Sequence, residues 1–153
     1  MQDLNIREAT INDIETLLQF EQGVIGAERP FDPTLKPHPT SYYDLPGMIE
    51  DPDVFLIVAE FSGLLIASGY ARRKKAEPFL RHNHYAYLGF MYVRPEFRGR
   101  GINSRIIETL KEWAAENGLD EIRLEVYAEN DNAIRAYEKA GFEKHMVEMR
   151  LHS

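Results

Sequence analysis

Tyr87-Leu-Gly-Phe-Met-Tyr-Val93, followed by Arg94-Pro-Glu-Phe-Arg-Gly-Arg-Gly101 and then Ile102-Asn-Ser-Arg-Ile106, decides the fold of this 153-residue chain. The first seven residues are rich in large apolar and aromatic side chains and read as a strand. Arg94 to Gly101 is a glycine- and arginine-rich turn. Ile102, Ile106, Leu110 and Trp113 then recur at intervals of four, four and three, which gives one apolar face of a helix. A strand feeding such a turn into a helix is suited to holding phosphate. The glycines admit the anion to the backbone, and the free N–H groups of the first helical turn point at it. Arginine adds counter-charge in a fork geometry that matches phosphate oxygens. Between residues 94 and 105 there are four arginines (94, 98, 100, 105) against one acid, Glu96, in a chain of net charge −7. The same residues also suit an ordinary helix start with surface arginines. Two common phosphate motifs do not fit. Gly-x-x-x-x-Gly-Lys-Ser/Thr is absent, and Gly99-x-Gly101 is followed by Ser104 where Gly-x-Gly-x-x-Gly needs glycine.

Working outward from this core, the upstream chain reads as a first strand at Leu4–Glu8 and a capping box at Thr10–Asp13. A helix follows to about Gln22 with Ile14, Leu17 and Leu18 as its apolar stripe. Six of the eight prolines lie between Pro30 and Pro52, so residues 23–52 read as a long loop with a short helix around Ser41–Glu50. A loop of that length is either a lid or acceptor-binding segment, or a packed surface loop without a role. Val54–Phe61 and Leu64–Ala71 form a hairpin about Ser62-Gly63. Arg72–Asn83 connects it to the strand His84–Arg94. Gly89 inside that strand marks a bulge or relieves crowding between Tyr87 and Met91. Downstream, Asn117-Gly118 stops the helix, and Glu121–Tyr127 alternates as a strand parallel to the one before it. Asn130–Ala140 reads as a second helix and Phe142–Leu151 as a last strand. The expected architecture is one α/β (α+β) domain over residues 1–153, a mixed sheet with helices on its faces.

The composition is that of an ordinary globular protein, with 44% apolar and 28% charged residues. An acidic chain lacks the basic face that nucleic acid requires. With no cysteine, disulfides, cysteine metal sites and thiol nucleophiles are all excluded. His82 and His84 lack a cysteine or carboxylate partner, so no metal is expected. No apolar run approaches 18 residues and the N-terminus has no signal-peptide pattern, so the expectation is a cytoplasmic protein without membrane association.

Two blocks carry a family resemblance. Arg98-Gly-Arg-Gly101-Ile-Asn103 resembles the Gln/Arg-x-x-Gly-x-Gly/Ala signature of the GCN5-related N-acetyltransferases (GNAT). Asn130-Asp-Asn-Ala-Ile-Arg-Ala-Tyr137-Glu-Lys-Ala-Gly-Phe142 resembles that family's Asn-x-x-Ala-x-x-x-Tyr-x-x-x-Gly-Phe block. The order, the separation and the intervening helix and strand also match. One position departs: Asn103 stands where the signature has Gly or Ala. Asparagine still offers its backbone N–H, so the departure bears on the detail of the phosphate contact.

The resemblance implies a GNAT-like mixed, mostly antiparallel twisted sheet of six to seven strands, with a splayed parallel central pair and helices on both faces. It implies acetyl-CoA as cosubstrate, its pantetheine arm lying in the splay that a bulge at Gly89 would open. Met91, Tyr92 and Val93 would meet pantetheine, and Arg98, Gly99, Arg100, Gly101, Ile102 and Asn103 the pyrophosphate. Asn130 would hold the pantetheine end, and Tyr137 would stand near the sulfur. The implied activity is transfer of acetyl to a primary amine by direct attack, with Tyr137 as general acid to the leaving CoA thiolate. The alternative is a non-catalytic acyl-CoA-binding regulatory module. An amine of pKa about 10.4 is neutral in only about one molecule in 2,500 at pH 7, so a base is needed. His84, Tyr85, Glu28 and Glu125 are the candidates. The acceptor, a small molecule or a protein amine, is unspecified, and a homodimer is compatible with such a fold.

Overall fold

The computed structural model describes residues 3–152. Strands β1 (Leu4–Glu8), β2 (Val54–Phe61), β3 (Leu64–Lys75), β4 (His84–Val93) and β5 (Ile122–Arg123) form one sheet in the order β1-β2-β3-β4-β5. The first four pair antiparallel, and β4 and β5 pair parallel. At the hairpin between β2 and β3, Ser62 and Gly63 both take positive φ (50° and 80°), the twist a two-residue turn needs to bring right-twisted strands together.

Helices α1 (Ile14–Glu28) and α2 (Leu45–Glu50) cover one face of the sheet, and α3 (Ile102–Glu116) covers the other. On the α3 face Ile102, Ile106 and Leu110 are buried with Ile57, Ile66 and Leu88. The contact is close: a Cβ at Gly69 of β3 would lie 2.6 Å from the Ile106 methyl. On the other face Leu17, Phe20, Leu45 and Met48 pack on Leu56, Val58, Tyr70 and Phe90. Each such Leu or Ile, fully withdrawn from water, contributes about 1.5–3 kcal/mol. Helix α4 (Asp131–Lys139) follows β5.

Several expectations are corrected. Helix α1 runs to Glu28 rather than Gln22, because Phe20 and Ile25 continue its buried stripe; Leu18 falls off that stripe and is 47% exposed. The helix expected at Ser41–Glu50 starts at Leu45, capped by Asp44, whose carboxylate accepts the Gly47 N–H. β3 continues past Ala71 to Lys75. Among the described residues the sheet has five strands, not six to seven. The strand expected over Glu121–Tyr127 is confined to Ile122–Arg123, and Phe142–Leu151 is not a strand. Alternation fails as a guide there because neither face of the terminal segment is covered: Met146, Val147, Met149 and Leu151 are all at least 79% exposed.

The long loop is anchored by a buried charge. Glu21 on α1 has no exposed surface, and its Oε2 accepts the N–H groups of Tyr42 (2.9 Å) and Tyr43 (2.8 Å). A buried carboxylate without donors would be costly, so this pair fixes the end of the loop against α1.

Candidate active site

β4 and β5 part company after two residue pairs, Ala86 with Ile122 and Tyr87 with Arg123. β4 continues to Val93, so among the described residues its edge from Leu88 onward has no strand beside it. An irregularity in β4 lies next to the opening. Ser68 of β3 pairs with Tyr92 and Tyr70 pairs with Gly89, so Phe90 and Met91 together face the single residue Gly69. Phe90 has φ +55°, a left-handed backbone that costs a bulky residue roughly 1–3 kcal/mol unless packing enforces it. Packing does enforce it. Phe90 is 2% exposed, its ring lies 4.9 Å from that of Tyr43, and its carbonyl accepts the buried Ser68 hydroxyl at 2.9 Å. The bulge is therefore centred on Phe90, not on Gly89. Glycine at 89 answers a different need: a Cβ there would come within 2.6 Å of the Tyr70 hydroxyl.

The anion turn follows directly. Pro95–Phe97 make one 3-10 turn, and Gly99 and Gly101 both adopt left-handed φ, 78° and 77°. Gly101 occupies the N-cap of α3, where no side chain caps the helix, so the first N–H groups of α3 remain free. Arg94 and Arg98 are braced by their Nε groups, which donate to the carbonyls of Leu65 (2.6 Å) and Val93 (3.0 Å). The Arg98 and Arg100 guanidinium groups lie over the rings of Tyr92 and Phe97. Among the described residues no carboxylate pairs with Arg98, Arg100 or Arg105. Ile102 is buried and Asn103 half-buried at the helix start, while Met91, Tyr92 and Val93 are half-buried along the open edge of β4.

Asn130 is the N-cap of α4, and its Oδ1 accepts the Ala133 N–H at 3.3 Å, so the helix uses one end of that side chain. Tyr137 stands on α4 with its ring edge-on to Phe142 at 6.0 Å. Burial raises the pKa of its phenol and the charge of Glu28 adds to the effect, so Tyr137 keeps its proton. Burial likewise pushes Glu28 up, opposed by a contact with the Tyr42 hydroxyl and reinforced by Asp32. That hydroxyl is buried and has no partner in ordinary hydrogen-bond geometry.

The sequence points to Glu125 as a base candidate and to residues 23–52 as a lid or acceptor segment, but three sets of contacts escape it. Asp32 joins the long loop to two distant segments: it accepts from the Tyr127 hydroxyl (3.1 Å), from Arg150 (3.0 Å) and from the Thr34 N–H (3.0 Å). These donors hold its carboxyl below the usual range, led by Thr34. A cleft of about 440 Å³ opens between Tyr42, Tyr43, Asp44, Asp51, Tyr70 and Arg72. Across the mouth of the gap, the Tyr87 hydroxyl donates to Glu125 Oε1 at 2.8 Å. Asp32 and the Tyr42-Tyr43 pair carry no pattern that separates them from loop residues.

Two of the base candidates lie elsewhere. His84 is at the paired end of β4, in a second groove with Arg73, Arg81, His82 and Asp120, and the Tyr85 ring is covered by Arg123 at 4.0 Å. Of the Arg72–Asn83 stretch, Arg72 lines the cleft, while Arg73, Arg81, His82 and Asn83 line the second groove. Among the described residues there is no metal-binding cluster, and no helix is long and apolar enough to cross a membrane.

The sequence model of the acetyltransferase (GNAT) family matches residues 21–142. An acetyltransferase of Pectobacterium atrosepticum is 38% identical over 96 residues, covering 61% of this chain and 60% of the relative. The chain therefore spans about 60% of that relative's length. The thialysine N-epsilon-acetyltransferase of Bos taurus is 42% identical over 55 residues, 36% of this chain and 32% of the relative. A predicted acetyltransferase of Clostridium acetobutylicum, solved with acetyl-CoA, superposes with a TM-score of 0.77 at 20% identity, covering 97% of this chain and 96% of that one. At that identity the likeness speaks for the fold.

Proposed function

The chain belongs to the acetyltransferase (GNAT) family, and from that premise we propose that residues 1–153 form one acetyl-CoA-dependent N-acetyltransferase domain acting on a primary amine. The single observation that carries this reading is the open stretch of β4 running directly into the uncapped turn at its end. The turn suits a pyrophosphate, with Arg98, Gly99, Arg100, Gly101, Ile102 and Asn103 supplying backbone N–H groups and guanidinium charge. The unpaired groups of Met91, Tyr92 and Val93 suit the amides of a pantetheine arm, which would take the place of a strand. Asn130 would approach that arm with the amide end its cap does not use.

In this reading the neutral acceptor amine attacks the thioester carbonyl carbon, the C–N bond forms to give a tetrahedral oxyanion, and the C–S bond breaks as that oxyanion collapses. A backbone N–H of the bulged strand, at Met91, would stabilise the oxyanion. Tyr137 gives its proton to the departing thiolate. A raised pKa serves this role, since the phenol arrives protonated. The cleft between Tyr42, Tyr43 and Tyr70 is the acceptor side, and its volume of about 440 Å³ suits a small molecule or the end of a side chain. The relative named for thialysine supports an amine at the end of a flexible chain as the acceptor class. The exposed Met146, Val147, Met149 and Leu151 support self-association as a two-fold dimer, which sedimentation would detect.

Incubating the protein with acetyl-CoA and lysine, spermidine, glucosamine or an N-terminal peptide amine tests the function. Release of free thiol dependent on the amine is expected. Saturable acetyl-CoA binding without turnover on any amine would instead favour the non-catalytic module.

A further inference from the structure

The end of β4 remote from the anion turn carries a second concentration of positive charge. His84 and Val93 begin and end this strand of 10 residues. At about 3.3 Å per residue its two ends lie roughly 30 Å apart. At the His84 end a groove of about 320 Å³ opens between β3, the 76–83 connection, the start of β4 and the turn after α3. Its polar lining is Arg73, Arg81, His82, Asn83, His84 and Asp120. Leu119 lines it too and is buried with Ala86 and Ala114, so the groove rests on packed side chains.

The cations here are held in place without being neutralised. Arg73 donates from Nη1 to the Asn117 carbonyl at 3.3 Å, at the C-terminus of α3. Arg123, beside the lining, gives its Nε to Glu121 (3.0 Å) and its Nη2 to His82 Nε2 (3.0 Å). A guanidinium has no acceptor, so His82 accepts in this contact and carries its hydrogen on Nδ1. Among the described residues no carboxylate forms an ion pair with Arg73 or Arg81. Glu121 is committed to Arg123, and Asp120 is the one acid in the lining. In a chain of net charge −7 this is a local reversal of sign, like that at Arg98–Asn103 but on different residues.

Guanidinium forks and imidazole N–H groups match the oxygens of a phosphate monoester. The other two polar groups ask for more than phosphate. Asp120 would repel a bare dianion, but its carboxylate accepts from hydroxyl groups, and the Asn83 amide both donates and accepts. A volume of about 320 Å³ holds a small sugar as well as its phosphate. We propose that this groove is a second ligand site, which binds a small phosphorylated sugar or polyol. Arg73, Arg81 and the histidines take the phosphate, and Asp120 and Asn83 take the hydroxyls. The site is separate from the acceptor cleft and from the anion turn, and it stands independently of the acetyltransferase reading.

Backbone amide shifts of the whole protein, followed by NMR during addition of ribose 5-phosphate, inorganic phosphate or ribose, test the site. Ribose 5-phosphate should saturate the shifts of residues 81–84 and 118–120 with a Kd on the order of 1 mM. Inorganic phosphate should bind several-fold more weakly, and ribose should leave the shifts unmoved. Arg81 is exposed, so Arg81→Ala should keep the fold. It should weaken ribose 5-phosphate about tenfold through the lost charge-assisted bonds. Arg98→Ala, at the far turn, should leave these shifts as in the wild type. Asp120→Asn should narrow the advantage of ribose 5-phosphate over inorganic phosphate, because the lost repulsion favours the bare ion more. Shifts that never saturate, inorganic phosphate bound as tightly as ribose 5-phosphate, or an Arg81→Ala variant that binds like the wild type overturns the proposal. Equal weakening by Arg98→Ala would place the phosphate at the anion turn and overturns it as well.

Discussion

The buried hydroxyl of Ser68 on β3 donates to the carbonyl of Phe90 on β4 at 2.9 Å, and so ties down the one residue of β4 whose φ is left-handed. Replacing Ser68 with alanine leaves that carbonyl without its partner, which costs about 1–3 kcal/mol. The bulge also shapes the edge on which the cofactor arm is proposed to lie. Thermal unfolding should report the lost stability, and calorimetry should report weaker acetyl-CoA binding. A variant with wild-type affinity would separate the bulge from cofactor binding.

Tyr137→Phe should keep the packing against Phe142 and lose only the acidic proton. A fall in kcat of about 10²-fold is expected, with acetyl-CoA affinity within a factor of two of wild type. The sign of the pH effect follows from the raised pKa. An acid works while protonated, so wild-type turnover should not fall through loss of this proton until the pH passes the usual tyrosine value of about 10. A decline near pH 8 that Tyr137→Phe abolishes would contradict the assignment.

Gly101→Ala places a Cβ on a backbone at φ 77°, a strain of about 1–2 kcal/mol, although the space around it is open. The N-terminal turn of α3 should shift and acetyl-CoA binding should weaken about tenfold. Arg98→Ala should weaken binding by a similar factor at low salt and by less at 0.5 M, because exposed charge is screened. Salt-independent losses would argue that Arg98 acts through its brace to Val93 alone.

Asp32 links the acid side of the site to Arg150 near the C-terminus. Its folded pKa is depressed, so its contribution to stability is present above the unfolded carboxyl value of about 3.9 and is lost as pH falls through the lower folded value. Wild type should therefore melt above Asp32→Asn at pH 6, and the difference should narrow below pH 4. A pH-independent difference would mean that Asn loses only hydrogen-bond geometry.

Much of the frame was legible. The α3 stripe, the Ser62-Gly63 turn and the Gly118 stop follow from period and local φ, which are properties of neighbours in sequence. The paired motifs led to the family by the same route. The terminal strand was misread for a definable reason: alternation reports a strand only when one face is buried, and residues 143–151 have no covering element. The bulge was assigned to the glycine, the residue to which left-handed φ costs least, yet packing imposed that conformation on Phe90.

The sequence by itself determined the order of elements, the glycine-built turn with its excess of arginine, and the presence of Tyr137 in a recognisable block. These depend on spacing over a few residues. Only the tertiary structure decided where β4 and β5 separate, that Tyr87 reaches Glu125 across 38 residues of chain, and that Asp32 gathers donors as distant as Arg150. Such contacts arise from long-range packing and the shape of a bulged sheet, and no local pattern encodes which polar groups end up facing one another.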